Sequence, residues 1–445
     1  MKNKYLLFVG LIFISSSVFA STLPTIETYY QHKEKTTEYI VDKDDDEDYK
    51  DDKFYFKILE KLSKKVSFTL NYIHNMRKYL EEQDINNKTH DYKATLDYFF
   101  FDDGDRSLKL DVNAGYKDKR YKDKQINDFD RFKTNAQLTY RVEGNYWIAF
   151  KGGLEQYDFI TANHKDKYIY FGKINGKKYF MDEKLVLIGG AKLKNTEVNP
   201  VRDSSTDNTV ASGQPVSNGV NLQGAKTETE LNAGVDIKPG KKLLEKISLR
   251  GAWGERNTVE DDDWEDDEDE LTYDYTYTLA SARTVHPITD TLETALHGNI
   301  KDKNYKEVDN SYTSYLVGND WSYKYYLQSK RKKYIVTKLD IFYGKTTYDT
   351  QVDSDNYKDG ATIELAYKMW GKFSYGIEAG AMQYRYDYTE KDRNTYHAGV
   401  ILTRKFFNNR LELNLEYNYR IKDYLDSDRR NIYQHSYQIG GVWKW

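Results

Sequence analysis

The chain contains no cysteine and only 5 prolines in 445 residues. Without cysteine, no disulfide can staple the fold and no thiolate can hold a metal. It also lacks long apolar runs. The longest, Leu6 to Ile14, is too short to cross a bilayer as a helix, and no other stretch is apolar enough to do so. Neither sign of charge dominates: 67 basic residues stand against 71 acidic ones, a net charge of -4. Bulk charge therefore favours neither nucleic acid nor anionic lipid as a partner. Catalytic signatures are missing as well. There is no Gly-x-Ser-x-Gly, no His-Glu-x-x-His and no P-loop, and the 8 histidines show no zinc-ligand spacing. On this reading the protein is not an enzyme, with no catalytic, cofactor-binding or metal-binding residue. A catalytic site assembled across strands would need no local motif, so a hydrolase stays as a minor alternative.

What is present is tyrosine, 42 residues of it. Disordered chains are poor in aromatics, so the polar character of the sequence, with mean hydropathy -0.86, does not signal disorder. The first residues have the layout of an export signal. Lys2 and Lys4 precede the Leu6–Ile14 run, and Val18-Phe19-Ala20 offers a small-x-small cleavage site. Residues 1–20 are thus expected to be removed, leaving a mature chain that starts at Ser21.

Beyond residue 65 the dominant pattern is alternation with period two, in segments of about ten residues, the length of a tilted membrane strand. Over Arg410 to Lys422, Leu411, Leu413, Leu415, Tyr417, Tyr419 and Ile421 fall on one side. Arg410, Glu412, Asn414, Glu416, Asn418 and Arg420 fall on the other. A helix would smear both sets round its axis, so this is a strand. Segments 107–117, 129–142, 246–257, 334–348 and 358–370 repeat the pattern. The connections alternate too. Short turns such as Asp102-Asp103-Gly104-Asp105, Glu143-Gly144-Asn145, Gly371-Lys372 and Phe407-Asn408-Asn409 alternate with long segments such as 77–88, 199–224 and 258–270. The resulting expectation is an all-β fold, a transmembrane antiparallel β-barrel of about 18 strands over residues 66–445, with 16 as the alternative count. Residues 21–65 fall outside the pattern and read as a charged periplasmic segment or partial plug. Within them, Asp42 to Lys53 is a charge run, and Phe54 to Leu62 suits either a strand or a short helix.

The C-terminus is the most specific feature. Gln438, Gly440, Trp443 and Trp445 form a spaced pattern of polar, glycine, hydrophobic and terminal aromatic residues. It resembles the signal read by the barrel-assembly machinery of Gram-negative outer membranes. The resemblance is close over the last strand. Over the rest of the chain, strand count, loop asymmetry and aromatic content are similar to those of porins. It implies export through the periplasm to the cell outer membrane, contact with outer-membrane lipid and lipopolysaccharide, and assembly by that machinery. Identical barrels could also associate, and no nucleic acid is implied.

A charge on the lipid face of a barrel costs about 2–4 kcal/mol at the bilayer midplane. The regularly spaced charges are therefore expected to line the lumen: Lys109, Asp111, Arg141, Arg250, Lys338, Asp340, Glu364, Lys368, Arg404, Glu412, Glu416 and Arg420. Such a lumen, carrying both signs, would screen small hydrophilic solutes during passive diffusion. The tyrosines read as interfacial girdles, with stacking on sugar rings as the alternative. The acidic run 260–270 lacks the spacing of a calcium loop and reads as a solvated outer loop. Loop 199–224 is a candidate constriction. The rival to a porin is an adhesion or binding barrel that acts through its long outer loops.

Overall fold

The computed structural model describes residues 25–39, 48–79, 86–122, 127–160, 166–198, 226–240, 244–258, 274–306, 310–327, 333–350, 355–369, 372–387, 392–425 and 431–444. The expected signal segment, loop 199–224, the acidic run 260–270 and Trp445 lie outside them.

Every described strand belongs to one sheet of 20 strands, and each pairs antiparallel with its neighbour in sequence. The final strand, Ile432–Lys444, pairs with Leu411–Tyr424 on one edge and with the first strand, Thr25–Tyr39, on the other. The sheet thus closes on itself and has no free edge, which removes the exposed backbone that an open sheet would present. Numbered in chain order, the strands are β1 (Thr25–Tyr39), β2 (Tyr49–Lys61), β3 (Val66–Tyr79), β4 (Asn87–Asp102), β5 (Arg106–Tyr121), β6 (Phe129–Val142), β7 (Tyr146–Phe159), β8 (Lys167–Phe180), β9 (Leu185–Val198) and β10 (Lys226–Ile237). They continue as β11 (Lys246–Thr258), β12 (Tyr275–Pro287), β13 (Leu292–Tyr305), β14 (Tyr312–Tyr326), β15 (Lys333–Tyr348), β16 (Asn356–Met369), β17 (Phe373–Tyr386), β18 (Arg393–Phe406), β19 (Leu411–Tyr424) and β20 (Ile432–Lys444).

The strand count of about 18 is corrected to 20. The two additional strands, β1 and β2, come from the segment expected to be a periplasmic tail or plug. Phe54, Phe56 and Ile58 of β2 do share one face, which settles the strand-or-helix question there. The charge run that precedes them belongs to the same strand from Tyr49 onward. Its charges, and those of β1, are accommodated in pairs across the strands. His32 Nδ1 lies 2.8 Å from Asp52, Lys50 lies 3.2 Å from Glu34, and the Tyr30 hydroxyl donates to Asp52 at 2.9 Å.

Among the described residues the buried apolar ones are small and few: Ala149, Val186, Ala295, Val336 and Ala366. Large ones stay exposed, with Leu413 at 44%, Leu415 at 45% and Ile439 at 52%. A water-soluble sandwich would hide such side chains between its sheets. Here they form the outer apolar band of a single closed layer.

The end of the barrel that carries the long connections is tied by a recurring clamp. The last residue of an ascending strand donates its amide to an Asx side chain that precedes the next strand. Tyr121 donates to Asp128 Oδ1 at 2.6 Å, Tyr348 to Asp355 at 2.6 Å, Tyr386 to Asp392 at 2.6 Å and Tyr424 to Asn431 at 2.7 Å. The carbonyl of the same Asx often accepts the amide just past the neighbouring strand: Lys122 donates to Asn86 O at 2.8 Å and Asp387 to Asp355 O at 3.0 Å. Asp128, Asp355 and Asn431 are buried by these contacts. Strand ends are thereby satisfied before each loop departs.

Candidate functional site: the polar face of the barrel

Residues in register on adjacent strands share a face, as do residues two apart on one strand. Starting from Glu412, Asn414 and Glu416, this rule carries one polar face across every strand pair. It returns from β1 to β20 with the same parity, through Gln31 opposite Gly440 and Lys33 opposite Gln438.

Most of the sequence-predicted lining residues lie on this face, and many are drawn into ion pairs. Lys109 bridges Asp97, at 3.2 Å, and Asp111. Arg250 pairs with Asp236, to which Lys246 adds a contact at 3.2 Å. Lys338 and Glu364, opposite each other in register, meet at 2.6 Å. Glu412 pairs at 3.3 Å with Lys405, its register partner. Arg141 reaches Glu143 of the adjoining turn at 3.9 Å. Glu416 accepts from Asn418 at 2.6 Å, Arg420 stands in register with His397 and Gln434, and Lys368 faces Ser374 and Tyr334.

Arg404 is the exception, and its assignment is corrected. It is in register with Leu413 and so lies on the apolar face, with its guanidinium 4.7 Å from the Phe406 ring. The polar-face cation at this point of β18 is the next residue, Lys405. Leu402 and Phe406 share the parity of Arg404, which is the signal that separates the two in sequence.

The face also gathers residues that sequence reasoning did not link. Asp340 stands in register with Asp320. One ligand atom each of His297, Asp320 and Asp340 lies within 4.8 Å of the others, a donor set able to hold a divalent cation. Arg283 already pairs with Asp320 at 3.0 Å, and His297 Nδ1 is 3.5 Å from the same carboxylate. The His297 ring lies over Gly318, where a Cβ would come within 2.4 Å of its Nε2.

Aromatic residues divide between the faces. Toward the short turns, Tyr367 and Tyr375 stack at 5.3 Å on the apolar face, and Phe407 contacts Trp443 at 5.9 Å. Toward the long connections, pairs such as Tyr275–Tyr305 and Tyr312–Tyr348 lie on the polar face. Cations sit against these rings: Lys303 is 3.8 Å from the Tyr275 ring, and Arg77 is 4.3 Å from that of Tyr49.

Of the terminal pattern, Gln438 and Gly440 are on the polar face and Trp443 is on the apolar one. Gly440 sits where Tyr29 of β1 crosses the seam. A Cβ there would stand 3.1 Å from the Tyr29 hydroxyl and 3.2 Å from the Tyr30 carbonyl oxygen, so the small residue permits close approach of the closing strands.

No protein-family model matches the chain, and no curated protein matches it. Solved barrels do. The copper transporter OprC is similar at a TM-score of 0.59 and 10% identity, over 96% of this chain and 81% of that one. The FrpB iron transporter from Neisseria meningitidis is similar at 0.57 and 9% identity, over 97% and 82%. A BenF-like porin from Pseudomonas fluorescens Pf-5 aligns at 0.49 and 10% identity, over 96% and 100%. At these identities the likeness to the two transporters is one of fold: this chain forms a large closed antiparallel β-barrel of the kind they are built on.

Proposed function

We propose that the protein is an outer-membrane porin that lets small hydrophilic solutes diffuse passively through a charged lumen. The observation that carries this is the closed ring of 20 strands with one apolar and one densely charged face. Only one way round suits a bilayer, because a charge facing lipid costs about 2–4 kcal/mol at the midplane. The polar face therefore lines the interior. With strands about 4.8 Å apart and tilted by about 40°, the ring is about 40 Å across. Barrels of roughly sixteen to eighteen strands already leave an aqueous channel, because side chains from the wall do not reach across. Among the described residues, no segment lies outside the strands and the connections that join them.

In this reading the solute crosses without catalysis or an energy source, and the paired and unpaired charges of the wall set a field that sorts it. The membrane is the outer membrane, reached through the periplasm after removal of residues 1–20. Gln438, Gly440, Trp443 and Trp445 address the chain to the assembly machinery, and lipid and lipopolysaccharide surround the apolar face.

Reconstitution of the purified full-length protein in planar bilayers tests the reading. Stepwise conductance is expected. A folded, inserted barrel that shows no steps would overturn it, and would move the function to the long connections on one end.

A further inference from the structure

The polar face is not electrically balanced. The whole chain holds 67 basic and 71 acidic residues. When register assigns each strand residue to a face, the basic side chains on the polar face outnumber the acidic ones by about two to one, a surplus large enough to set the sign of the potential in a confined space. Most of the acids that do face this way are already engaged, as Glu155 is by Arg131 at 3.3 Å and Lys133 at 2.9 Å. The uncompensated charge is therefore positive.

Its densest part lies on β7, β8 and β9. The polar faces of β8 and β9 carry lysines and no carboxylate. At mid-strand, Lys151 is in register with Lys173, and Lys173 with Lys192. Among the described residues Lys151 and Lys173 have no carboxylate in register, Lys192 faces Glu230 of β10 in register without an ion pair to it, and Lys173 is exposed. Like charges directly opposite one another destabilise a sheet. Three in a row, about 4.8 Å from strand to strand, make a site whose repulsion an anion lying across the ammonium groups would relieve.

We infer that the channel selects anions, and that the Lys151–Lys173–Lys192 row is its mid-channel binding site for small solutes bearing carboxylate or phosphate groups. The inference rests on the porin reading and gives it a substrate class. Ammonium groups on flexible stems suit it, since three point charges attract an oxyanion of either kind without imposing one geometry.

The test uses the full-length protein in planar bilayers under a potassium chloride gradient. The reversal potential is expected to show chloride permeating several-fold better than potassium. Acetate or inorganic phosphate added to one side should reduce the chloride current, and whichever acts at the lower concentration identifies the preferred group. The triple variant K151Q/K173Q/K192Q should bring the permeability ratio close to unity and abolish this inhibition. K64Q, at an exposed lysine in the short turn between β2 and β3 and off the polar face, should change both little. Channels with a potassium preference, or a triple variant that keeps the parent's selectivity and inhibition, would overturn the inference and leave the porin reading intact. Inhibition by neither anion would remove the binding site. Absence of channels would overturn both readings. Retention of the heat-resistant folded band in detergent electrophoresis shows that the variants form the barrel.

Discussion

Two stretches of the same wall treat like charges in opposite ways. On β14–β17, acids oppose acids in register, Asp320 with Asp340 and Glu364 with Glu378. Each pair has a base beside it: Arg283 is 3.0 Å from Asp320, Lys338 is 2.6 Å from Glu364, and His397 is 3.2 Å from Glu378. On β7–β9 the row Lys151, Lys173 and Lys192 has a single carboxylate in register, Glu230 of β10 opposite Lys192, and no ion pair among the described residues. Both stretches place like charges on neighbouring strands, but only the first is locally neutralised. A charge cluster that is compensated contributes to the wall, whereas one left open acts on what passes it. The contrast implies that the acidic stretch is structural and the lysine row selects.

The sharpest way to break the contrast is to close the lysine row. In K173E a carboxylate would stand between Lys151 and Lys192, in register with both. Two repulsive cross-strand pairs become attractive ones, each worth roughly 0.2–1 kcal/mol. Anion preference in planar bilayers should largely collapse while the thermal unfolding midpoint rises. A variant that keeps its preference would show that the row does not control selection. The parent's preference should also weaken between 0.1 and 1 M salt, as the Debye length falls from about 10 to about 3 Å.

How much of this could be read in the sequence follows from where a barrel keeps its apolar atoms. Leu411, Leu413, Leu415 and Tyr417 face outward whatever the neighbouring strands are, so alternation alone exposes β19. Strands β3 to β20 were legible for this reason. β1 and β2 were not, because His32, Glu34, Lys50 and Asp52 put polar groups on the face that elsewhere is apolar, and their mutual pairing is a tertiary fact. The same limit governs the site. Parity placed Lys338 and Glu364 on one face, and Arg404 was misplaced only where two cations adjoin. That Lys151, Lys173 and Lys192 stand side by side depends on register between strands, which no single segment encodes.

The compensated stretch should break under smaller insults than charge reversal. His297 lies over Gly318 and His397 over Gly380, and a Cβ would come within 2.4 and 2.2 Å of those rings. G318A and G380A should each displace a histidine from its carboxylate and cost about 1–3 kcal/mol, as overpacking does. On β8, a Cβ at Gly172 meets nothing within 4 Å, so G172A should be close to neutral. Denaturant unfolding of the three variants in detergent compares them. Equal losses would mean that the imidazoles are not held in place by the glycines.

The finest distinction lies within one acidic pair. Asp320 holds Arg283 and His297, whereas Asp340 faces Asp320 across the register. Removing the charge of Asp340 should relieve repulsion and leave those contacts standing, so D340N should gain a few tenths to about 1 kcal/mol. The isosteric change at Asp320 relieves the same repulsion but also takes the partner from Arg283. These groups are partly solvated, so the ion pair is worth no more than about 1 kcal/mol. The two terms then nearly cancel, and D320N should be neutral or slightly destabilised, below D340N in every case. Unfolding midpoints measured side by side decide it. Should D320N prove the more stable of the two, Arg283 is not compensating this pair, and the acidic stretch would be as open as the lysine row.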